Sequence, residues 1–359
     1  MTNTAGVGGL MMETKIKPTG RPRRNRVSHE LEKDYPEWAD RTEEVKRYQW
    51  LWNGIAAWRR QGPVNPARRE ITDAAAMSAH VKTMAKSMGA DVVGITEMDP
   101  AHCFTDSEPP PHRYVIAYGI KMDFETMKFV GETSQLEVHY VYYRLADVST
   151  RLAAYIRSFG YDALSQTNSD ALNLIPHAWK AGLGELGRHG SLITPEFGPS
   201  LRLGAVSTDL PLQVDEGPKD FGMDDFCTKC NLCTDHCPGD AIVPRKSTVN
   251  GISRWHVDTP ACVPYFVKYD GCKICLMVCP FNSFSAENKE SFRGLAKDLA
   301  KSRRKAWELV DGWKEQGLAS APHWAGYYDR ATPRPMGTES GGSDGTEDRR
   351  GAAAGNQPS

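Results

Sequence analysis

The strongest constraint on this chain is the uneven placement of its cysteines. Eight of the nine lie between Cys227 and Cys279, and only Cys103 lies elsewhere. The chain shows no secretory signal, so clustering of this kind favours metal binding over disulfide bonding. Cys103 has no neighbouring partner in the sequence, and we expect it to be an ordinary buried small residue.

The cysteines form two related runs. The first has the spacing CxxCxxCxxxCP typical of bacterial ferredoxins and comprises Cys227, Cys230, Cys233 and Cys237, followed by Pro238. The second keeps only the last three cysteines of that spacing, Cys272, Cys275 and Cys279, followed by Pro280. Tyr269 stands where its leading cysteine would be, so Cys262 is the candidate for the missing ligand.

These runs predict two [4Fe–4S] clusters with crossed ligands. In the ferredoxin run three thiolates bind one cubane and the fourth, before proline, binds the other. The first cluster would then have the ligands Cys227, Cys230, Cys233 and Cys279. The second would have Cys237, Cys262, Cys272 and Cys275. Two four-cysteine zinc sites are the alternative, although the run is more specific to cubanes.

Composition excludes some classes of partner. The net charge of -1 and pI near 6.8 give no support for nucleic-acid binding. No apolar run approaches the roughly 18 residues of a membrane span. The arginines at 21–26 are not followed by an apolar segment, as an export signal requires. We therefore expect a cytoplasmic protein without a membrane or nucleic-acid partner.

The sequence predicts five regions. Residues 1–70 form a polar arm. We expect this arm to pack onto the main body through its tryptophans, Trp38, Trp50, Trp52 and Trp58. Residues 71–220 form an α/β domain with a helix closed by Gly89, a long helix with one apolar stripe ending at Gly160, and strands near 91–96, 113–120 and 201–210. The cysteine module follows at 221–285, then a helical extension at 286–331 and a disordered tail at 332–359. No GxGxxG fingerprint or P-loop supports a nucleotide.

Several passages in order resemble a known family. They are VIAYGIKMDFETMKF, YRLADVSTRLAAYIRSFGYDA and GLGELGRHGSLITPEFGPSLRLGAVSTD, followed by the cysteine module with its truncated second run. Together they resemble the cobalamin-dependent reductive dehalogenases over about residues 80–285. The arrangement is more distantly similar to epoxyqueuosine reductase, although this chain lacks that family's Arg-Asp-Tyr-His-like stretch at Ile120–Phe124.

The resemblance implies a nitroreductase-like corrinoid-binding domain with an appended bacterial-ferredoxin-type 2[4Fe–4S] module. It implies cobalamin bound with its lower base detached. Glycines let the backbone approach a large macrocycle closely, and the candidate cofactor-binding residues are Gly182, Gly184, Gly187, Arg188, Gly190, Gly198 and Gly204. The alternative is that some of these glycines only end helices or form turns. His177, Trp179 and Phe197 are further candidates for the pocket.

The resemblance also implies a tyrosine proton donor assisted by a cation. Tyr142 is the candidate, with Tyr143 as the second choice, and Asn168 follows at the family's spacing. Tyrosine has an unperturbed pKa of about 10, so a guanidinium from Arg202, or less favourably Arg188, would stabilise the phenolate. The alternative is that Tyr142 only packs beside the apolar stripe and Arg202 makes a surface contact.

The function implied is cob(I)alamin-dependent, two-electron removal of halide from an organohalide, with electrons relayed by the two [4Fe–4S] clusters. A halogenated phenol is the expected substrate, and a separate ferredoxin or flavodoxin with its reductase the expected electron donor. Two alternatives stay open: a tRNA-modifying corrinoid enzyme of the epoxyqueuosine reductase type, and a non-enzymatic iron–sulfur electron carrier.

Overall fold

The computed structural model describes residues 43–104, 107–127, 132–168, 170–268, 271–277 and 279–282. The predicted extension at 286–331, the predicted tail at 332–359 and Trp38 lie outside these residues. None of the described helices is both long and apolar enough to cross a membrane.

The described residues form nine helices and eight strands, with short 3₁₀ turns at Pro100–His102 and Pro280–Asn282. The helices are α1 Glu43–Arg59, α2 Ala74–Ser87, α3 Phe124–Met127, α4 Glu132–Ser158, α5 Leu174–Lys180, α6 Met223–Lys229, α7 Leu232–Asp235, α8 Thr259–Lys268 and α9 Ile274–Met277. The strands are β1 Val92–Glu97, β2 Tyr114–Lys121, β3 Ala163–Gln166, β4 Glu185–Leu186, β5 Leu192–Ile193, β6 Leu201–Thr208, β7 Ile242–Val249 and β8 Ile252–Val257.

A four-stranded sheet forms the centre of the first domain. Its order is β1-β2-β6-β3, and every neighbouring pair is antiparallel. The mixed α/β class predicted from the sequence is confirmed. The two other pairs, β4 with β5 and β7 with β8, are separate hairpins.

The two faces of the sheet pack against different helices. Along β2, Ile116, Tyr118 and Ile120 lie in the core that α4 completes, and Tyr118 donates its hydroxyl to Leu145 O at 2.6 Å. The intervening Ala117 packs on the opposite face with Ala178 of α5. Alternate residues of a strand point to opposite faces, so each side of β2 is fully buried.

The two helix ends predicted at Gly89 and Gly160 are confirmed. Asp73 caps α2, its carboxylate accepting from Ala76 N at 2.9 Å. Gly89 follows α2 with φ +115°, and Gly160 follows α4 with φ +84°. A Cβ at Gly160 would lie 2.5 Å from Arg68 Cα, so this turn requires glycine for both its backbone angle and its space.

Helix α1 packs against α4 through one tryptophan. Trp52 is 7% exposed and donates Nε1 to His139 Nδ1 at 3.3 Å. Trp50 and Trp58 are 68% and 82% exposed, so the prediction that they pack the arm onto the main body was wrong. At about 100° per residue, positions two and six away from Trp52 point away from the face that contacts α4.

The cysteine module is attached to the sheet domain by the β7–β8 hairpin. Asn250 and Gly251 form its tip with φ of 51° and 78°, the left-handed backbone that a two-residue type I′ turn requires. The side-chain amide of Asn250 donates to Ala101 O. The tip of the hairpin is therefore bonded to the loop after β1.

Candidate functional site

Four cysteines from separate segments surround one small internal space. Cys227 lies in α6, Cys233 lies in α7, and Cys230 lies between these helices. Cys279 joins them just before the turn at Pro280–Asn282. Phe226, Phe281, Leu232, Arg188 and His189 complete the lining. The structure thus brings together the four residues predicted to bind the first cluster, and we call this space the cluster-one cavity.

The other four cysteines form a second group nearby. Burial raises the pKa of Cys275 well above its usual value, and the thiols of Cys272, Cys233, Cys262 and Cys237 raise it further. Cys262, which the sequence analysis proposed in place of the missing leading cysteine of the second run, lies in α8. The electrostatic contact with Cys233 shows that the two groups are close to each other.

In both cysteine groups, the thiolate form is stable only beside a positive charge such as a metal ion. Burial raises the pKa of Cys227 to about 12 and that of Cys272 to about 11. These sulfurs stay protonated at neutral pH unless a metal replaces the proton, as iron does in a cluster. The donor set therefore fits two iron–sulfur clusters.

Two four-cysteine zinc sites are the alternative for these cysteines. Within the described ranges, no three His, Cys, Asp or Glu side chains form a group that could hold a single metal ion.

Arg188 links the sheet domain to the cluster-one cavity. It is 3% exposed and donates Nε to Cys227 O at 2.8 Å and Nη2 to Thr228 O at 3.2 Å. Its guanidinium carbon lies 4.1 Å from the centroid of the Trp255 ring. The structure therefore directs this side chain towards the cysteine module and gives it no contact with Tyr142. A corrinoid-binding role for Arg188 stays a prediction.

A cleft of about 370 Å³ lies between the sheet domain and the cysteine module. From the sheet domain it is lined by His102, Cys103, Asn173, Pro176, Gly187 and Gly190. From the cysteine module it is lined by Asn250, Arg254, Trp255, His256, Val257 and Asp258. Cys103 is fully buried in its wall, as expected. Trp255, which contacts Arg188, thus separates the cleft from the cluster-one cavity.

Only Gly187 and Gly190 of the six candidate glycines line this cleft. Gly190 has φ +77° and lies against Val257 of the opposite wall. Gly187 also makes room for the His189 ring, since a Cβ there would lie 2.7 Å from His189 Cε1.

Gly182, Gly184, Gly198 and Gly204 have structural roles in the protein. Gly182 follows α5 with φ +70° and Gly198 lies in a turn with φ +53°. A Cβ at Gly184 would collide with Ile193 O, and one at Gly204 would lie 2.5 Å from Tyr118 Oη. For these four the alternative of caps, turns and close packing explains the glycine, and none lines the cleft.

Tyr142 and Arg202 are in contact. The guanidinium carbon of Arg202 lies 5.2 Å from the centroid of the Tyr142 ring, and Tyr142 is 6% exposed. The Trp52 ring lies 5.5 Å from Tyr142 on another side. Tyr143, the second choice, is partly buried and its ring lies 6.1 Å from that of Tyr48. Asn168 is half-buried two residues after β3.

The contact between Tyr142 and Arg202 lies on the other side of the sheet from the cleft. Arg202 pairs with Ile120 across the strands and shares its face, which is the α4 face. Cys103 of the cleft wall packs on the opposite face with Val115. The structure therefore brings the candidate proton donor and its cation together, but it does not place them in the lining of the cleft.

The remaining pocket candidates lie behind the cleft. His177 is fully buried, burial lowers its pKa to about 4, and its Nδ1 is bonded to Asn173 O at 2.9 Å. Trp179 and Phe197 pack in the core around Ala178. The sequence analysis missed His102, Trp255 and His189. No local pattern marks His102 or His189, whereas the Asn-Gly pair at 250–251 was an available signal for the hairpin that carries Trp255.

Comparison with known proteins agrees with this arrangement. Residues 226–294 match the family model described as a 4Fe-4S dicluster domain. The chain is similar to the tetrachloroethene reductive dehalogenase of Sulfurospirillum multivorans, with 30% identity over 286 residues that cover 66% of this chain and 57% of that protein. It is also similar to the epoxyqueuosine reductase of Cellulophaga algicola, with 30% identity over 160 residues that cover 39% of this chain and 48% of that protein.

The fold is also similar to a solved structure described as a reductive dehalogenase that suggests a mechanism for B12-dependent dehalogenation. The TM-score is 0.69 at 27% identity, over 76% of this chain and 41% of that chain. The present chain therefore spans about half the length of the relatives it matches. Its dicluster domain carries two [4Fe–4S] clusters, as the cysteine runs predicted.

Proposed function

Because this chain is related to the reductive dehalogenases, we propose that it removes halide from an organohalide. The balanced reaction takes R–X, two electrons and a proton to R–H and halide. Electrons pass through the two [4Fe–4S] clusters to a corrinoid, and a halogenated phenol is the proposed substrate. The proposed electron donor is a separate ferredoxin or flavodoxin with its reductase, and the proposed location is the cytoplasm.

The observation that carries this proposal is the position of the cleft beside the cluster-one cavity. Trp255 lines the cleft, and its ring contacts Arg188, which is bonded to the backbone of Cys227. The Trp255 ring and the Arg188 side chain would lie between a cofactor in the cleft and the first cluster. This arrangement suits one-electron transfer into a bound acceptor.

The lining of the cleft has the chemical character that a corrinoid requires. Gly187 and Gly190 offer backbone without side chains, while Asn250 and Arg254 offer polar groups for the amide edge of a macrocycle. Bound there, cobalt would supply the attack on the carbon–halogen bond. The protein's own contribution is to hold the ring, exclude water and supply the proton.

Tyr142 is the proposed proton donor. The Arg202 guanidinium over its ring favours the charge that develops on the phenol as the proton leaves. Tyr142 is 6% exposed and Arg202 is partly buried, so solvent screens their interaction less than it would at the surface. Because the pair lies across the sheet from the cleft, Tyr142 can protonate only a carbon bound on the α4 face. The Tyr142 variant described in the Discussion tests whether the reacting carbon lies on that face.

The test is anaerobic reconstitution of the full chain with iron, sulfide and cobalamin. We expect about eight irons and about one cobalt per chain, with EPR signals of both clusters and of base-off cobalt. The loaded protein is then assayed, with a chemical reductant, on halophenols, on tetrachloroethene and on tRNA that contains epoxyqueuosine.

Each outcome separates the candidate functions. Release of halide, together with incorporation of one solvent proton into the product R–H, supports the proposal. Turnover of the modified tRNA alone would assign the epoxyqueuosine reductase function, for which the similarity to the Cellulophaga algicola enzyme is the supporting observation. Iron uptake without cobalt would indicate an electron carrier. Uptake of zinc in place of iron would refute the cluster assignment as well.

A further inference from the structure

Two residues that line the cluster-one cavity each have one buried nitrogen atom without a hydrogen-bond partner in the described part of the chain. The two atoms are Arg188 Nη1 and His189 Nε2. A buried N–H without an acceptor is destabilising, so such atoms are rare unless a ligand satisfies them. Both residues line the same small space as Cys227, Cys230, Cys233 and Cys279.

The hydrogen bonds of His189 identify its tautomer. His189 Nδ1 accepts from Ser191 N at 3.2 Å, so this nitrogen carries no proton. The single ring proton is therefore on Nε2, and the partnerless atom is a donor.

The remaining bonds of Arg188 fix the orientation of its guanidinium. Nε and Nη2 donate to the carbonyls of Cys227 and Thr228, and the plane lies against the Trp255 ring. These contacts leave Nη1 as the one nitrogen of the group without an acceptor. Since an arginine keeps its charge at any accessible pH, Nη1 presents a charged donor.

We propose that Arg188 Nη1 and His189 Nε2 donate hydrogen bonds to sulfur atoms of the first cluster and thereby raise its reduction potential. The reduced cluster carries one more negative charge, so N–H donors and a nearby cation stabilise it more than the oxidised form. Arg188 and His189 are adjacent in the loop between β4 and β5. The sheet domain thus supplies residues that help to set the reduction potential of the first cluster.

This inference rests on the dicluster domain and not on the dehalogenase proposal. Its test is an EPR-monitored potentiometric titration of the reconstituted full chain, with no organohalide present. We expect Arg188→Gln and His189→Phe each to lower the midpoint potential of the first cluster. At a fixed solution potential the ratio of reduced to oxidised cluster should fall several-fold, and the double variant should fall further.

Two controls separate hydrogen bonding from general charge and packing. Lys246 lies over the same ring, with Nζ 5.1 Å from the centroid of Trp255, but it does not line the cavity. We expect Lys246→Gln to leave the potential unchanged. Arg188→Lys keeps the positive charge but loses the planar guanidinium and its fixed donors. Its midpoint potential should therefore lie between those of the parent protein and Arg188→Gln.

An unchanged potential in His189→Phe and Arg188→Lys, at full iron content, would overturn the proposal. If Arg188→Gln fails to retain iron, those two variants still decide the question. Pulsed EPR gives an independent readout, because the reduced cluster should couple to an exchangeable proton that is lost in His189→Phe. Absence of such coupling in the parent protein would also contradict the proposal.

Discussion

The guanidinium of Arg202, on strand β6, lies over the ring of Tyr142, on helix α4, with 5.2 Å between the guanidinium carbon and the ring centroid. The contact joins two residues that are 60 positions apart in the sequence. It spans the boundary between the sheet and its main covering helix, so it exists only in the folded domain.

This contact leads to the first prediction, which concerns Tyr142→Phe. The change removes one hydroxyl and keeps the ring, so folding and the iron and cobalt contents should be preserved. Dehalogenation should fall by about 10²–10⁴-fold, the usual contribution of a general acid. Tyr143→Phe is the matched control and should retain activity. Full activity of Tyr142→Phe would reject the role, and loss in Tyr143→Phe alone would transfer it to the neighbour.

The second prediction concerns the ligand set of the second cluster. Cys262→Ser removes the residue proposed to replace the missing leading cysteine, so iron should fall to about half of the roughly eight atoms expected. Cys103→Ser should retain the full iron content, because Cys103 packs in the cleft wall apart from both thiol groups. Iron and sulfide analysis of the two variants checks this. Equal iron in both would remove Cys262 from the ligand set.

The third prediction is a pH dependence of stability that arises from Glu185. Burial raises the pKa of this carboxyl to about 7, although its Oε2 accepts from Met223 N at 3.2 Å and from Phe221 N. The folded chain binds a proton here more tightly than the unfolded chain. The contribution to stability is therefore present below about pH 4.5 and is lost as the pH rises towards 7, by on the order of 2–3 kcal/mol.

Thermal unfolding of the reconstituted protein between pH 5 and pH 8 measures this effect. We expect Glu185→Gln to flatten the decline in Tm over this range. A decline of the same size in the variant would show that another group is responsible.

The fourth prediction separates packing from cofactor binding at Gly204. A Cβ here would lie 2.5 Å from Tyr118 Oη, which is itself bonded to Leu145 O. Gly204→Ala should therefore destabilise the fold by about 1–3 kcal/mol through overpacking. Gly217→Ala is the control, because its nearest neighbour, Lys180 O, is 4.0 Å away. Cobalt content per folded chain should be unchanged in both, whereas a corrinoid role would lower it in Gly204→Ala.

Local periodicity explains which parts of the fold were predictable. Helices α2 and α4 and strands β1, β2 and β6 carry apolar patterns that continue through the whole element, and their ends have Asp73, Gly89 and Gly160. The order β1-β2-β6-β3 was not predictable, because β6 pairs with strands far away in the sequence. Strand pairing of this kind depends on the whole tertiary structure.

The site was predictable where spacing alone defines it. The two cysteine runs fix which thiols share a space, and the structure groups the same residues. The glycines were ambiguous, because a glycine has the same sequence signal whether it lines a cleft, as at Gly187, or faces a neighbouring side chain, as at Gly204. The partners of Arg188 depend on how two domains meet, and no local pattern encodes that.

The β7–β8 hairpin belongs to the cysteine module by sequence but forms a wall of the cleft, and its tip is bonded to Ala101. Exchanging this module between relatives would therefore also exchange one wall of the proposed corrinoid site. A chimera that keeps the cysteines but brings a foreign hairpin should assemble its iron normally and yet bind cobalamin poorly.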